Sequence, residues 1–100
     1  MPERRPEAVF CANDMLALGL EQELLHEGMK VPEEIAIVGY DDLEWASVSS
    51  VPLTTVSQPR NGLGRTAVDM IMDLLSRSSS RMPTANHVVL RPGLVRRESA

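Results

Sequence analysis

This 100-residue chain is short of several things, and each shortage narrows what it can be. It has one cysteine, Cys11, so no disulfide can form within it. A lone thiol suits a reducing compartment without requiring one. It has three aromatic residues, Phe10, Tyr40 and Trp45, so aliphatic side chains and six methionines must supply the core. Positive charge is also scarce. A net charge of −4 argues against a nucleic-acid-binding surface on the chain itself. The arginines gather toward the ends, at Arg4-Arg5 and at Arg91, Arg96 and Arg97. With Glu98 following, Arg96-Arg97 reads as a solvated tail. No apolar run approaches the roughly 20 residues needed to cross a membrane. The opening Met1-Pro-Glu-Arg-Arg-Pro-Glu7 is charged and proline-rich, with no signal-peptide core. One hundred residues allow at most one small domain.

What is present is an α/β pattern. Ala8 to Ala12 is a short, nearly continuous apolar run, as expected of a strand buried on both faces. A helix is predicted from about Asp14 to Glu27, with Leu16, Leu20 and Leu24 toward the sheet and Met15, Leu18 and Leu25 widening its apolar surface. Gly28 is placed to end it in a left-handed conformation. Ile35 to Tyr40 is a second apolar strand, followed by a short helical turn over residues 41–47. Together these form a parallel β-α-β unit. Residues 51–58 read as an extended crossing segment bracketed by Pro52 and Pro59. A second helix is predicted over 61–76, then a polar loop over 76–83. A last strand is broken by Pro92-Gly93 into His87–Leu90 and Leu94–Arg96. Strands apolar on both faces need more neighbours and helices than these residues supply, so the pattern implies a piece of a larger α/β protein or an obligate oligomer.

The polar residues that end the two strands carry the functional reading. In open α/β sheets, ligands bind beyond the carboxyl ends of the strands. Asn13 and Asp41 therefore belong on one rim. The Asn13 amide offers a donor and an acceptor together, which suits adjacent hydroxyls, but asparagine also favours helix caps for purely local reasons. Asp41 can accept two charge-assisted hydrogen bonds, while Asp42 is the better candidate for a cap or structural role. A metal or glycosidase reading of this acid pair lacks further convergent acids. Trp45 follows Asp41 by four residues, so it can either face a sugar ring from the rim or pack partly into the core. Cys11 reads as a small buried hydrophobe, with neither His26 nor His87 placed to activate it. Gly62-Leu-Gly64 lacks the third glycine of a dinucleotide site and signals the start of a helix. No cofactor or metal is called for.

Several of these segments resemble a known family. Cys11-Ala-Asn-Asp-Met-Leu-Ala-Leu-Gly19, Val31-Pro-Glu-Glu-Ile-Ala-Ile-Val-Gly-Tyr-Asp-Asp42, Pro52-Leu-Thr-Thr-Val-Ser-Gln-Pro59, Leu63-Gly64 and Leu94-Val-Arg-Arg-Glu-Ser99 occur in order. The series looks like the C-terminal third of the effector-binding core of the lactose/galactose-repressor family. The resemblance implies a partial periplasmic-binding-protein-like fold. Residues 1–7 would be a lead-in and 8–51 a β-α-β portion of the C-terminal subdomain. Residues 52–59 would be a crossover, 60–90 a helix and strand of the N-terminal subdomain, and 91–100 a return strand and tail.

By resemblance, the Asn13 position contacts a small effector, often a sugar or purine. The face carrying Met15, Leu18 and Leu25 would be a homodimer contact, though the residues themselves allow extra core equally well. DNA would be bound only through a helix-turn-helix domain absent from these residues, and the setting would be cytoplasmic. The competing readings are a fragment of a periplasmic-type sugar-binding protein and a truncated dimerising fragment that binds no effector. An enzyme is disfavoured, because no nucleophile-base constellation is present.

Overall fold

The computed structural model describes residues 4–76 and 87–100. The elements run β1 (Ala8–Phe10), α1 (Asp14–His26), β2 (Ala36–Asp41), α2 (Glu44–Val48), β3 (Thr54–Ser57), α3 (Arg60–Ser76) and β4 (Gly93–Val95). Past Ser76, the polar loop expected up to residue 83 lies outside the described residues. The chain divides into two compact units, Met1–Gln58 with Gly93–Ala100, and Pro59–Pro92.

The first unit is a four-stranded sheet in the order β1-β2-β3-β4. β1, β2 and β3 are parallel, and β4 pairs antiparallel with β3. Ala17 of α1, Ala46 of α2, Val31, Ile35 and Leu53 form one core with Ile37 of β2. Two small alanines let both helices approach that face closely. Along β2, Val38 and Tyr40 alternate with the buried Ile37 and Gly39 and are only partly buried. Phe10 is 67% exposed, so β1 is not buried on both faces as its apolar run predicts. It has a single neighbour, β2, and one covered side.

α1 begins at the Asn13 cap, whose side chain accepts from Leu16 N at 2.9 Å. It ends as expected at Gly28, with φ +83°. Gly28 N donates to Leu25 O and Met29 N to Leu24 O, the paired bonds of a Schellman ending. Leu20 and Leu24 pack against the core as predicted, but Leu16 is 58% exposed, and the buried positions of the helix are Asp14, Ala17 and Glu21. Buried hydrogen bonds made by Asp14 and Glu21 turn this stripe inward, and apolar periodicity does not register such bonds.

The return segment is also tied in. Ser99 is fully buried; its hydroxyl donates to Ile37 O at 2.6 Å and accepts from Thr54 N at 2.8 Å. Ile37 N in turn donates to Ser99 O at 2.8 Å. The chain end thus bridges the starts of β2 and β3.

In the second unit, α3 covers the predicted helix, and none of its residues is buried. The strand expected at 87–90 is not formed. A strand needs a ladder partner, and none of the described residues pairs with this segment.

Candidate functional site

The parallel register builds the rim. Phe10 stands opposite Val38, and Cys11 N donates to Val38 O at 2.8 Å. The two strands are parallel, so Asn13, three residues past the end of β1, and Asp41, the last residue of β2, lie toward the same edge of the sheet. Asp41 pairs with Ser57, which brings Gln58 to the same edge. Asp41 and Gln58 thus meet at one strand edge, and Asn13 follows the neighbouring parallel strand β1.

Asn13 is a helix cap, but the cap uses only its side-chain oxygen. Its amide nitrogen makes no hydrogen bond to the described residues. Cap and ligand contact are thus compatible in one side chain. Asp41 accepts from Gln58 Nε2 at 2.6 Å. Its φ is +122° and that of Asp42 is +59°. Non-glycine residues seldom adopt such angles, and strain of this kind collects at ligand sites. These two residues turn the chain abruptly out of β2.

Leu43, the residue flanking α2, makes no side-chain cap. Asp42 pairs with Arg97 at 2.9 Å, and both side chains are largely sheltered. Arg97 also donates to Leu53 O at 3.0 Å, and its backbone N–H donates to Thr54 Oγ1 at 2.8 Å. Arg97 is therefore no solvated tail residue, because it braces the rim turn. Asp14 is a second brace. It is fully buried, accepting from Leu43 N at 2.7 Å and from Thr55 Oγ1 at 2.5 Å. A Cβ on Gly39 would collide with its carboxylate, so glycine at that point of β2 makes room for the acid.

Sequence reasoning missed Asp14, Gln58 and Arg97 as site residues. Glycine within a strand was the available signal for Asp14, since it marks a close approach. Gln58 follows only from the β2–β3 register, and Arg97 only from the three-dimensional path of the chain end.

Trp45 is 65% exposed, so it is not core. It lines a groove of about 530 Å³ with Met15, Leu18 and Leu25 of α1 and Val48 of α2. Leu18 and Leu25 also pack against the core, as the alternative reading expects, while Met15 is 63% exposed, so the three border the groove with different degrees of burial. Cys11 is half-buried, and burial raises its thiol pKa, which leaves it a poor nucleophile. No group of three potential metal ligands occurs among the described residues. No helix among them is long and apolar enough to cross a membrane.

A mostly parallel sheet under two helices, with polar residues at its strand ends, is an α/β core of the kind that binds ligands beyond its strand ends. Residues 1–100 match the family described as periplasmic binding protein-like domain. The ribose operon repressor of Escherichia coli (strain K12) is 40% identical over 96 residues, 96% of this chain and 28% of that protein. A LacI family transcriptional regulator from Lactobacillus casei, solved with bound sucrose, superposes with a TM-score of 0.83 at 36% identity, covering 100% of this chain and 35% of that one. The lac repressor dimer bound to operator and the anti-inducer ONPF superposes with a TM-score of 0.82 at 35% identity, covering 94% of this chain and 32% of that one. The chain belongs to the periplasmic binding protein-like domain family, in the form found in LacI-family regulators. It spans 21–28% of the length of the curated relatives it matches.

Proposed function

We propose that this chain is an effector-sensing and self-associating portion of a bacterial transcriptional repressor. Asn13 and Asp41 grip the hydroxyls of a sugar-class effector, with Gln58 orienting the Asp41 carboxylate. Binding involves no chemical step. The observation that carries this reading is the rim itself, where Asn13 caps α1 with its oxygen alone among the described residues and Asp41 sits at positive φ at the end of the neighbouring parallel strand. The relative with bound sucrose supports the ligand class. The opposite wall of the cleft and the helix-turn-helix contact with operator are assigned to residues outside this chain, and the setting to the cytoplasm. Effector binding would act by shifting the population of two core arrangements.

The second part of the proposal is a homodimer through the α1–α2 groove. Met15, Leu18, Leu25, Trp45 and Val48 form its apolar surface, and a related repressor is a dimer. The runner-up is a periplasmic-type sugar-binding protein, which shares the fold but needs no self-association face.

The test of the rim is calorimetry on a regulator carrying this segment. Asp41→Asn is expected to weaken effector binding by about 1.5–3 kcal/mol, the range for hydrogen bonds to charged groups. Unchanged affinity would make the rim acids purely structural.

A further inference from the structure

Beneath the groove lies a carboxylate that the effector rim does not use. Glu21 is 3% exposed and belongs to the inward stripe of α1. Its Oε1 accepts from Val51 N at 3.0 Å. Its Oε2 is buried and has no hydrogen-bond partner among the described residues. Burial raises the pKa of this acid, and the Val51 bond opposes the rise less strongly.

Of the ten residues lining the groove, Glu21 is the only ionisable one. The charged groups of the neighbouring elements sit at the groove's margins, outside the lining. Glu44 of α2 lines a separate depression with Trp45, Ser47 and Val48. The segment from Ser49 to Leu53 is uncharged. Glu23 and His26 of α1 line another depression with Gly19 and Gln22. Asp14, also on α1, has both oxygens engaged by Leu43 and Thr55.

We propose that association of two copies across this groove is proton-linked through Glu21, with the neutral acid compatible with a covered groove and the carboxylate opposing it. This linkage presupposes the self-association proposed above. A second copy is the fitting occupant on charge grounds. Two chains of net charge −4 repel, and a surface lined by mostly uncharged residues lets two copies approach with least repulsion. In a symmetric pair each copy presents that same patch.

The sign follows from solvation. A covering copy removes the remaining water above Glu21 and so favours the protonated form further. The pair then holds more protons than two separate chains. Association is strongest below the already raised range of the free chain, weakens as pH climbs through it, and levels off above the range of the pair. With one Glu21 in each copy, the association constant can fall by as much as roughly 100-fold per pH unit in that window.

The experiment is analytical ultracentrifugation of the chain from about pH 5 to about pH 8 at fixed ionic strength. The parent is expected to associate at least about tenfold more weakly at the upper end. Glu21→Gln, which keeps an acceptor for Val51, is expected to associate nearly independently of pH, as is Glu21→Met should the first variant fail to fold by circular dichroism. His26→Gln controls for the nearby imidazole and should keep the parent's dependence. A parent that associates, loses association on Leu18→Lys, yet shows no pH dependence overturns the Glu21 linkage alone. So does a Glu21 variant that keeps the parent's slope. A parent that is monomeric at every pH overturns the self-association reading and the linkage with it.

Discussion

Asp14 and Asn13 are adjacent in the chain but divide their labour. Asn13 caps α1 with its oxygen, while Asp14 turns inward and accepts from Leu43 N and Thr55 Oγ1. One acid thus ties the start of α1 to the residue after the Asp41-Asp42 turn and to β3, fixing the two halves of the rim relative to each other. Asp14→Ala leaves a buried N–H and a buried hydroxyl without partners. Urea denaturation should show a loss of about 2–5 kcal/mol, from the cost of leaving each group unpaired. Gly39→Ala should also destabilise, by about 1–3 kcal/mol through overpacking. That penalty should shrink in an Asp14→Ala background, where the colliding carboxylate is gone. Asn13→Ser separates the two roles of its residue. Serine caps as well as asparagine, so stability should change by less than about 0.5 kcal/mol while effector affinity falls in a regulator carrying this segment. Asn13 and Asp41 were legible in the sequence because each ends an apolar run. Asp14 was not, since beside a better cap residue a buried acid looks the same as a solvated one.

At the scale of elements, the strands and helices follow the apolar runs and their punctuation closely. Gly28 ends α1 where its spacing says it should. The deepest stripe of α1 was illegible, because hydrogen bonds to Asp14 and Glu21 bury those acids while Leu20 and Leu24 pack beside them and Leu16 stays exposed. The 87–90 strand was overread, because β-branched residues give a propensity but cannot supply a ladder partner. The chain end was underread for the opposite reason. Arg97 and Ser99 look like tail residues in sequence, yet they reach Asp42, Leu53, Thr54 and Ile37. Ser99→Ala should therefore cost more than an ordinary surface change. It removes the donor to Ile37 O and the acceptor for Thr54 N, both in a fully buried setting, and about 1–3 kcal/mol is expected by thermal or urea unfolding. Arg97→Met keeps most of the aliphatic packing but releases Asp42. It should weaken effector binding in a longer regulator in addition to lowering stability, because the released turn also carries Asp41.

For the molecule as a whole, the proposed effector contacts come from the first unit alone. Asn13, Asp41 and Gln58 offer polar groups from a single sheet edge. A sugar held from one side keeps much of its hydration, so those contacts gain little over water. The chain alone is expected to bind any sugar no better than about millimolar, which corresponds to roughly −4 kcal/mol. It is likewise expected not to bind operator specifically. Sequence-specific binding needs an element that reads base edges and a cluster of cations on phosphates. Here the net charge is −4, and Arg97 is already committed to Asp42. Calorimetric titration with monosaccharides and disaccharides, together with a gel-shift assay, checks both expectations. Micromolar binding of a sugar would mean that self-association builds a complete site from two copies. The site would then have to lie where Asn13 and Asp41 of one copy face the other. Leu18→Lys would abolish binding along with association in that case, while leaving a genuinely single-chain site intact.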